Sequence, residues 1–396
     1  MAVSTGPKIV TSGLIYDSDM YNTKKSWIGA PTTNLQSNPD MSSGTTGYSA
    51  YLNSPAIVTS YTVPTTLGTA RNILQCATSS TLGGGGNYGG FSFSSPSLTP
   101  GTTYTVSFYA RSLSGNMSFR YSNQTGSGDE NNLSFNSTLN YDWQRFSVTA
   151  TLDASKTTVY VYNRNISAGV FQFADLQIEA QSFATPFVSG TRSATQAMLD
   201  ITNQNTITAE SLSYSSGTYN YPNSVTTALD VTDQALLQPS TVTISAWAYL
   251  DQYNPLNDFA GQFPTIAWRC GVGPNGDQAS YGISLYAGQV PRFTITPTAL
   301  ISGIVMPTGT WFNLVGVYNA SGGMYMYRNG ALETSTTGPV SITYNPQPFA
   351  VGNRIWSGTY QYPWNGNIST VQLYNRALSS DEVLQNFNAL RGRYGL

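Results

Sequence analysis

From Val242 to Leu396 the chain alternates apolar and polar residues in one short run after another, and this period of two constrains its fold most. Thr-Ile-Ser-Ala-Trp-Ala-Tyr-Leu (243–250) is the first run, and Phe293-Thr-Ile-Thr repeats the pattern. Trp-Phe-Asn-Leu-Val-Gly-Val-Tyr (311–318) and Met-Tyr-Met-Tyr (324–327) follow, with Asn329-Gly330 as a turn. Phe349-Ala-Val-Gly and Ile368-Ser-Thr-Val-Gln-Leu-Tyr close the series. Period-two runs bounded by Gly, Pro and Asn predict half-buried antiparallel strands. Many such strands in succession predict a sandwich of two sheets.

The spacing of particular pieces carries a resemblance. Ile-Ser-Ala-Trp, Gly309-Thr-Trp-Phe-Asn-Leu-Val, Tyr327-Arg-Asn-Gly, Trp364-Asn-Gly-Asn-Ile and Leu373-Tyr-Asn-Arg-Ala-Leu-Ser resemble the laminin-G-like (concanavalin A-like) jelly roll. The resemblance implies a domain that binds surfaces, glycans or other proteins rather than one that catalyses.

A second module precedes it. Leu98–Arg111 reads as a turn followed by an alternating strand, and 142–151 and 158–162 add two more. Thr33-Asn-Leu-Gln-Ser-Asn-Pro-Asp-Met resembles the opening strand of carbohydrate-binding-module jelly rolls, and Phe171-Gln-Phe-Ala-Asp-Leu-Gln-Ile-Glu resembles their last. Ala184-Thr-Pro-Phe-Val-Ser-Gly-Thr-Arg resembles an exit sequence of phage structural proteins. Ile-Val-Thr-Ser-Gly-Leu-Ile-Tyr-Asp (9–17) resembles the leading strand of a laminin-G-like domain, and residues 195–240 resume that pattern. The fold class expected is all-β: two antiparallel β-sandwich jelly rolls and one short C-terminal helix. Residues 1–33 are expected to supply an arm and first strand to the outer domain 193–396, with the jelly roll 34–192 inserted at an exposed turn. The alternative is two domains in tandem behind a loose N-terminal arm.

One helix is legible. Ser379 and Glu382 form a capping box, then Val383, Leu384, Phe387 and Leu390 recur at helical spacing, and Gly392 offers a stop. The Gly-rich stretch 83–90 lacks the Lys-Ser/Thr of a phosphate-binding loop and reads as a loop tip.

Composition then excludes several function classes. Charged residues are 9% of the 396 and the net charge is −2, so no basic footprint for nucleic acid exists. No apolar run approaches the ~20 residues of a membrane span. The polar load falls on Ser, Thr, Asn, Gln and Gly, as in β-rich extracellular or virion proteins. The N-terminus shows no charged region followed by an apolar one, which predicts a chain without an export signal. Cys76 and Cys270 fall in different predicted domains, so no disulfide framework is expected.

The chain has no histidine, which removes Ser-His-Asp and Cys-His nucleophile systems and imidazole metal sites. Glycoside hydrolysis needs only two carboxylates, but no strand carries acids at alternate positions. Asp129-Glu130 and Asp381-Glu382 are adjacent pairs, whose members would point to opposite faces of a strand. No catalytic residue is therefore expected. Both resembled families hold a structural calcium near the join of first and last strands. Asp175 matches the acidic position of the last strand, making it the calcium candidate, while its partner position is Ser42. In the outer domain the corresponding acidic position is Ser369. No other cofactor is implied.

Exposed aromatic rings beside Asn, Gln and Asp would suit a sugar. Trp356, Tyr360 and Tyr362 crowd a short segment between two predicted strands and are the candidate contact residues, for a glycan or a neighbouring subunit. Trp143, Trp247, Trp311 and Trp364 are assigned to cores. The expectation is a non-enzymatic virion surface protein of a bacteriophage, a head decoration, head fibre or tail-fibre component assembled in the host cytoplasm. Its expected partners are other virion proteins and host-surface glycans, in a homo-oligomer or in many copies on the particle. The rivals are a free glycan-binding lectin or accessory carbohydrate-binding protein and, opposed by the missing carboxylates, a glycosidase.

Overall fold

The computed structural model describes residues 7–51, 56–59, 72–78, 90–93, 97–114, 117–122, 135–137, 142–154, 160–163, 169–210, 213–215, 218–222, 224, 226–253, 263–270, 279–286, 289–321, 323–356 and 359–396. The glycines at 83–89, the pair Asp129-Glu130 and the side chain of Trp356 lie outside the described residues. The chain forms two compact units, Met1–Pro31 with Ser193–Leu396, and Thr32–Arg192. Among the described residues no helix is long and apolar enough to cross a membrane.

The first unit begins with β1 (Leu14–Asp19). The second unit holds β2 (Thr32–Thr33), β3 (Tyr48–Tyr51), β4 (Ala56–Thr59), β5 (Leu74–Thr78), β6 (Gly90–Phe93), β7 (Thr103–Ser114), β8 (Met117–Ser122), β9 (Phe135–Ser137), β10 (Gln144–Thr151), β11 (Tyr160–Asn163), β12 (Gly169–Glu179) and β13 (Thr191–Arg192). The first unit resumes with a four-residue helix α1 (Ala194–Ala197), then β14 (Ile207–Glu210), β15 (Ser213–Ser215), β16 (Thr218–Pro222), β17 (Ala228–Val231), β18 (Val242–Leu250), β19 (Thr265–Cys270) and β20 (Ala279–Tyr286). It ends with β21 (Val290–Ile295), β22 (Thr298–Ile301), β23 (Trp311–Asn319), β24 (Gly323–Arg328), β25 (Ala331–Thr337), β26 (Phe349–Val351), β27 (Arg354–Trp356), β28 (Thr359–Gln361), β29 (Asn365–Tyr374) and α2 (Ser380–Leu390).

In the first unit an eight-stranded sheet, β15-β16-β29-β18-β23-β24-β25 with β1 beside β29, faces a seven-stranded sheet, β14-β17-β26-β19-β20-β21-β22. The alternation read in the sequence becomes burial. Ile244 and Ala246 of β18 and Phe293 and Ile295 of β21 have essentially no exposed surface. The sheets meet so closely that a Cβ on Gly316 would lie 2.3 Å from the Phe293 ring, so only glycine fits there. Tyr16 of β1 reaches the same interior and meets Phe349 edge-on at 5.4 Å.

The outer face of the eight-stranded sheet is covered by the chain's own ends. Ser379 caps α2, accepting from Glu382 N while Glu382 accepts from Ser379 N at 2.9 Å. Val383, Asn386, Phe387 and Leu390 form its buried stripe. Leu384, expected in that stripe, is 45% exposed because it falls a helical step outside it. Gly392 does not stop the helix; Arg391–Arg393 continue as a 3-10 turn. Trp247 stacks under Tyr394 at 4.1 Å and Phe387 at 5.6 Å. Trp247 is therefore buried beneath the helix and not between the sheets, and Trp311, half-buried, joins the same cluster. Residues 9–13, expected as strand, run irregularly because α2 and its neighbours take their hydrogen bonds. Val10 N donates to Asn386 at 2.7 Å, Gln385 donates to Lys8 O, and Tyr374 OH donates to Val10 O. Trp27 bridges to Met198, and Leu199 N donates to Ser26 O.

In the second unit a five-stranded sheet, β10-β7-β12-β5-β4, backs a core of Tyr104, Val106, Phe108, Phe146, Phe171, Phe173, Leu176 and Ile178. Cys76 is a buried side chain of that core. Its edge is closed by β13 on β2 and by the Asn34 side chain, which donates to Leu176 O and Val188 O.

Candidate functional site

The non-core face of the seven-stranded sheet gathers the first unit's unusual side chains. Strand register places Thr208, Asp230, Ala350, Trp268, Gly282, Thr294 and Ala299 in one row across it. Side chains in such a row share a face. The row is small on both sides of Trp268, and a Cβ on Gly282 would lie 2.3 Å from the indole. Ala350 and Gly282 thus let the Trp268 ring lie across the strands.

Around that ring stand two guanidiniums and three further rings. The Arg354 guanidinium lies 5.4 Å from the Trp268 ring centre and 3.7 Å from that of Tyr362, and Arg292 lies 4.5 Å from that of Phe263. Phe263 stacks on Tyr286 at 5.3 Å and tilts against Tyr362 at 6.1 Å. The three guanidinium-to-ring distances fall within the ~6 Å over which a ring face attracts a cation. Arg354 and Trp268 are buried, Phe263, Arg292, Tyr360 and Tyr362 are half-buried, and Tyr286 is 38% exposed. The cluster therefore grades from a closed floor to an open rim.

The segment read as an irregular loop is a hairpin, in which β27 pairs with β28 and Trp356 stands opposite Thr359. The second arm of the hairpin is anchored to the sheet twice. Tyr360 OH donates to Asp230, and Thr265 N donates to Tyr362 O at 3.0 Å. Tyr362 adopts φ 62°, a left-handed conformation uncommon for a bulky residue, at the point where its ring meets Arg354. Tyr360 and Tyr362 are thus brought onto one face with Phe263, Trp268, Tyr286, Arg292 and Arg354, which the sequence reading did not select. Their signal was weak because they come from strands far apart in the chain. Gly282 opposite a tryptophan was the one hint. Trp364 is buried and donates its indole N–H to Tyr249 O.

Asp175 has a structural explanation. The β12–β7 register shifts between Ala174 and Gln177, and Asp175 sits in that bulge with φ 53°. The extra residue keeps Phe171 and Phe173 before it, and Leu176 and Ile178 after it, all facing the core. Asp is among the residues that tolerate this conformation. Asp40 instead turns back on Ser42, accepting from its N–H and hydroxyl at 3.1 and 2.8 Å. Among the described residues no group of three or more His, Cys, Asp or Glu side chains could hold a metal ion. Asp175 supplies a single carboxylate, so a calcium ion there would take its remaining oxygens from backbone carbonyls and water.

Trp143, assigned to a core, is half-buried on the outer face of the five-stranded sheet of its unit, against Ile73 and Ala174. It lies one residue before β10, where the alternation turns it away from the Phe146 side.

Comparison with known proteins assigns both sandwiches. Residues 223–384 match the concanavalin A-like lectin/glucanases superfamily, and residues 33–164 match a carbohydrate binding domain. The chain thus pairs a sandwich that matches the concanavalin A-like superfamily with one that matches a carbohydrate binding domain. No curated protein sequence matches the chain. Among solved structures, the binding domain of Paraclostridial Mosquitocidal Protein 1 is 17% identical, with 48% of this chain and 49% of that one covered and a TM-score of 0.40. Domain 4 of AbnA, an extracellular arabinanase of Geobacillus stearothermophilus in complex with arabinotriose, is 20% identical over 50% of this chain and 93% of that one, with a TM-score of 0.35. A CBM40 of the Ruminococcus gnavus IT-sialidase bound to sialyllactose is 14% identical over 37% and 82%, with a TM-score of 0.31. The chain spans about half the length of toxin binding domains such as that of Paraclostridial Mosquitocidal Protein 1.

Proposed function

We propose that this protein is a non-catalytic glycan-binding attachment protein. Its ligand would lie on the non-core face of the seven-stranded sheet, against Tyr362, Phe263 and Tyr286. The observation that carries this reading is the graded cluster there: buried Arg354 and Trp268 below, half-buried rings above. Sugar rings present C–H faces and hydroxyls, and stacked aromatics beside fixed donors suit both. Tyr360 holds the hairpin, and Trp356 is the third aromatic of that segment. Asp230, an acid on this face, is hydrogen-bonded to Tyr360, and the chain has no histidine, so no acid–base pair is proposed.

The setting we propose is a virion surface, as a head decoration or fibre component present in many copies. Its support is the Ser-, Thr- and Asn-rich, charge-poor composition and the phage-like exit sequence after Glu179. Mass spectrometry of purified particles checks it, since a chain absent from them ends that reading.

Titration calorimetry with a panel of soluble oligosaccharides tests the binding. Tyr362→Ala should weaken the best ligand by about 30-fold, the ~2 kcal/mol of a hot-spot residue, with the fold intact by circular dichroism. Affinity unchanged in that variant would overturn the site. Reducing ends released from the panel, and lost on substituting one Asp or Glu, would overturn the non-catalytic reading.

A further inference from the structure

The second unit carries two arginines on the outer face of its five-stranded sheet, and the structure uses them differently. Successive rungs run across β10, β7 and β12. One holds Arg145, Tyr109 and Ala174, and lower ones hold Ser107 with Gln177 and Thr105 with Glu179. The exit segment covers these lower rungs. Thr185 donates its N–H and hydroxyl to Glu179 at 2.8 and 2.7 Å, Val188 N donates to Gln177, and Thr105 donates to Gln181 O. Arg145 is tied into this cover, donating to Thr185 O and to Ser107.

Arg111 lies on the rung beyond the cover. Its guanidinium stands 4.9 Å above the ring of Trp143, whose other contacts are Ile73 and Ala174. Its Nε donates to Gln172 Oε1 at 2.8 Å, and Gln172, 1% exposed, donates in turn to Gln75 at 2.9 Å. Register places Arg111, Gln172 and Gln75 side by side on β7, β12 and β5. The ring fixes the plane of the fork and the buried glutamine fixes its rotation. Among the described residues Arg111 makes no ion pair, and its Nη1 and Nη2 have no hydrogen-bond partner. The nearby charges are Arg145 one rung away and exposed Asp142 beside Trp143. Partial burial without a counter-ion lowers the affinity of Arg111 for its proton.

A rigid fork with two open N–H groups matches a planar or tetrahedral oxyanion in two parallel bonds. We propose that Arg111 is the reading residue of a second binding site, taking the carboxylate or sulfate of an acidic glycan. This rests on the glycan-binding reading above but uses a different unit and different residues. Gln172 and Trp143 are positioning residues for it.

The test uses the full chain and three probes: trigalacturonate, its neutral methyl ester and a sulfated galactan trisaccharide. Calorimetry at low salt should show at least one acidic probe binding about tenfold more tightly than the ester. The two acidic arms separate a carboxylate from a sulfate reader. Arg111→Gln should abolish the difference, and Arg111→Lys, which keeps the charge and loses the fork, should retain only part of it. Tyr362→Ala should weaken all three probes that reach the first site while leaving the acid-to-ester ratio at Arg111 unchanged. Equal binding of acid and ester, or a preference that survives Arg111→Gln and Arg111→Lys, overturns the proposal while leaving glycan binding standing. Failure of every probe and of the neutral panel overturns both.

Discussion

The two outer faces of the first unit are finished in opposite ways. Over the eight-stranded sheet the chain lays its own termini, with α2 and residues 8–10 exchanging hydrogen bonds, Arg376 donating to Ser12 O and Trp247 sealed beneath Tyr394. Over the seven-stranded sheet it lays side chains: a hairpin pinned at Asp230 and guanidiniums among rings. The first face is covered by the chain itself, although Tyr249 and Trp311 remain half-buried there and Tyr325 is 37% exposed. The second keeps half-buried rings at its edge. Aromatic content therefore separates stability from recognition only when the cover over each ring is known.

The largest effect should come from removing residues 1–33, which takes β1 from the sheet edge and the arm from α2. The remaining chain should lose its cooperative melt in the first unit, whereas replacing 34–192 by a short Gly-Ser bridge should keep one. This is how we propose to test the inserted organisation; independent folding of 193–396 alone would count against it. Next is Trp247→Ala. It empties the space under Tyr394 and Phe387 and should cost about 3–5 kcal/mol, read as a lowered denaturation midpoint, with glycan affinity unchanged. If affinity falls with it, the two faces are coupled and the contrast fails.

Tyr360→Phe should have a smaller effect. It removes the hydroxyl that donates to Asp230 and should cost on the order of 1–2 kcal/mol, with a matching loss of ligand affinity as the hairpin loosens. A drop in stability alone would make the hairpin structural. The smallest effect is electrostatic. The Arg376 guanidinium, 2.6 Å away, holds the Glu382 carboxyl at about 2, well below its usual 4.5. A depressed folded value means that the stabilisation is complete above pH ~4.5 and is lost as the pH falls toward 2. Because the pair is 30% exposed on both sides, solvent screening limits it to about 1 kcal/mol. Glu382→Gln should flatten that acid limb of the stability curve and leave the neutral melt lower by the same amount. An unchanged acid limb would show that α2 does not depend on this clamp.

The burial of Asp17 works in the other direction. Burial, then the charge of Asp19, raises its carboxyl well above the usual value. A raised folded value favours the folded state at low pH, and this contribution fades as the pH rises through it. The acid limb of the wild type therefore includes two opposed groups on the same covered face, and the Glu382 variant isolates one of them.

The sequence by itself determined the strands and the helix start. Alternation in 243–250, 311–318 and 368–374 became β18, β23 and β29 because a period of two has one way to bury its apolar half. The Ser379–Glu382 box became the N-terminus of α2 because its partners are three residues apart. Only the tertiary structure decided which aromatics lie beneath a cover. Trp143, Trp247, Trp268 and Trp311 all sit in or beside strand patterns, yet alternation says only that a residue faces one side of a sheet, not what lies on that side. That Arg354 would meet Trp268, and Arg111 would meet Gln172, depended on strands whose residues lie 86 and 61 positions apart. The physical reason is that register between distant strands is set by the packing of whole sheets, so no local run of residues records which rings and cations will share a face.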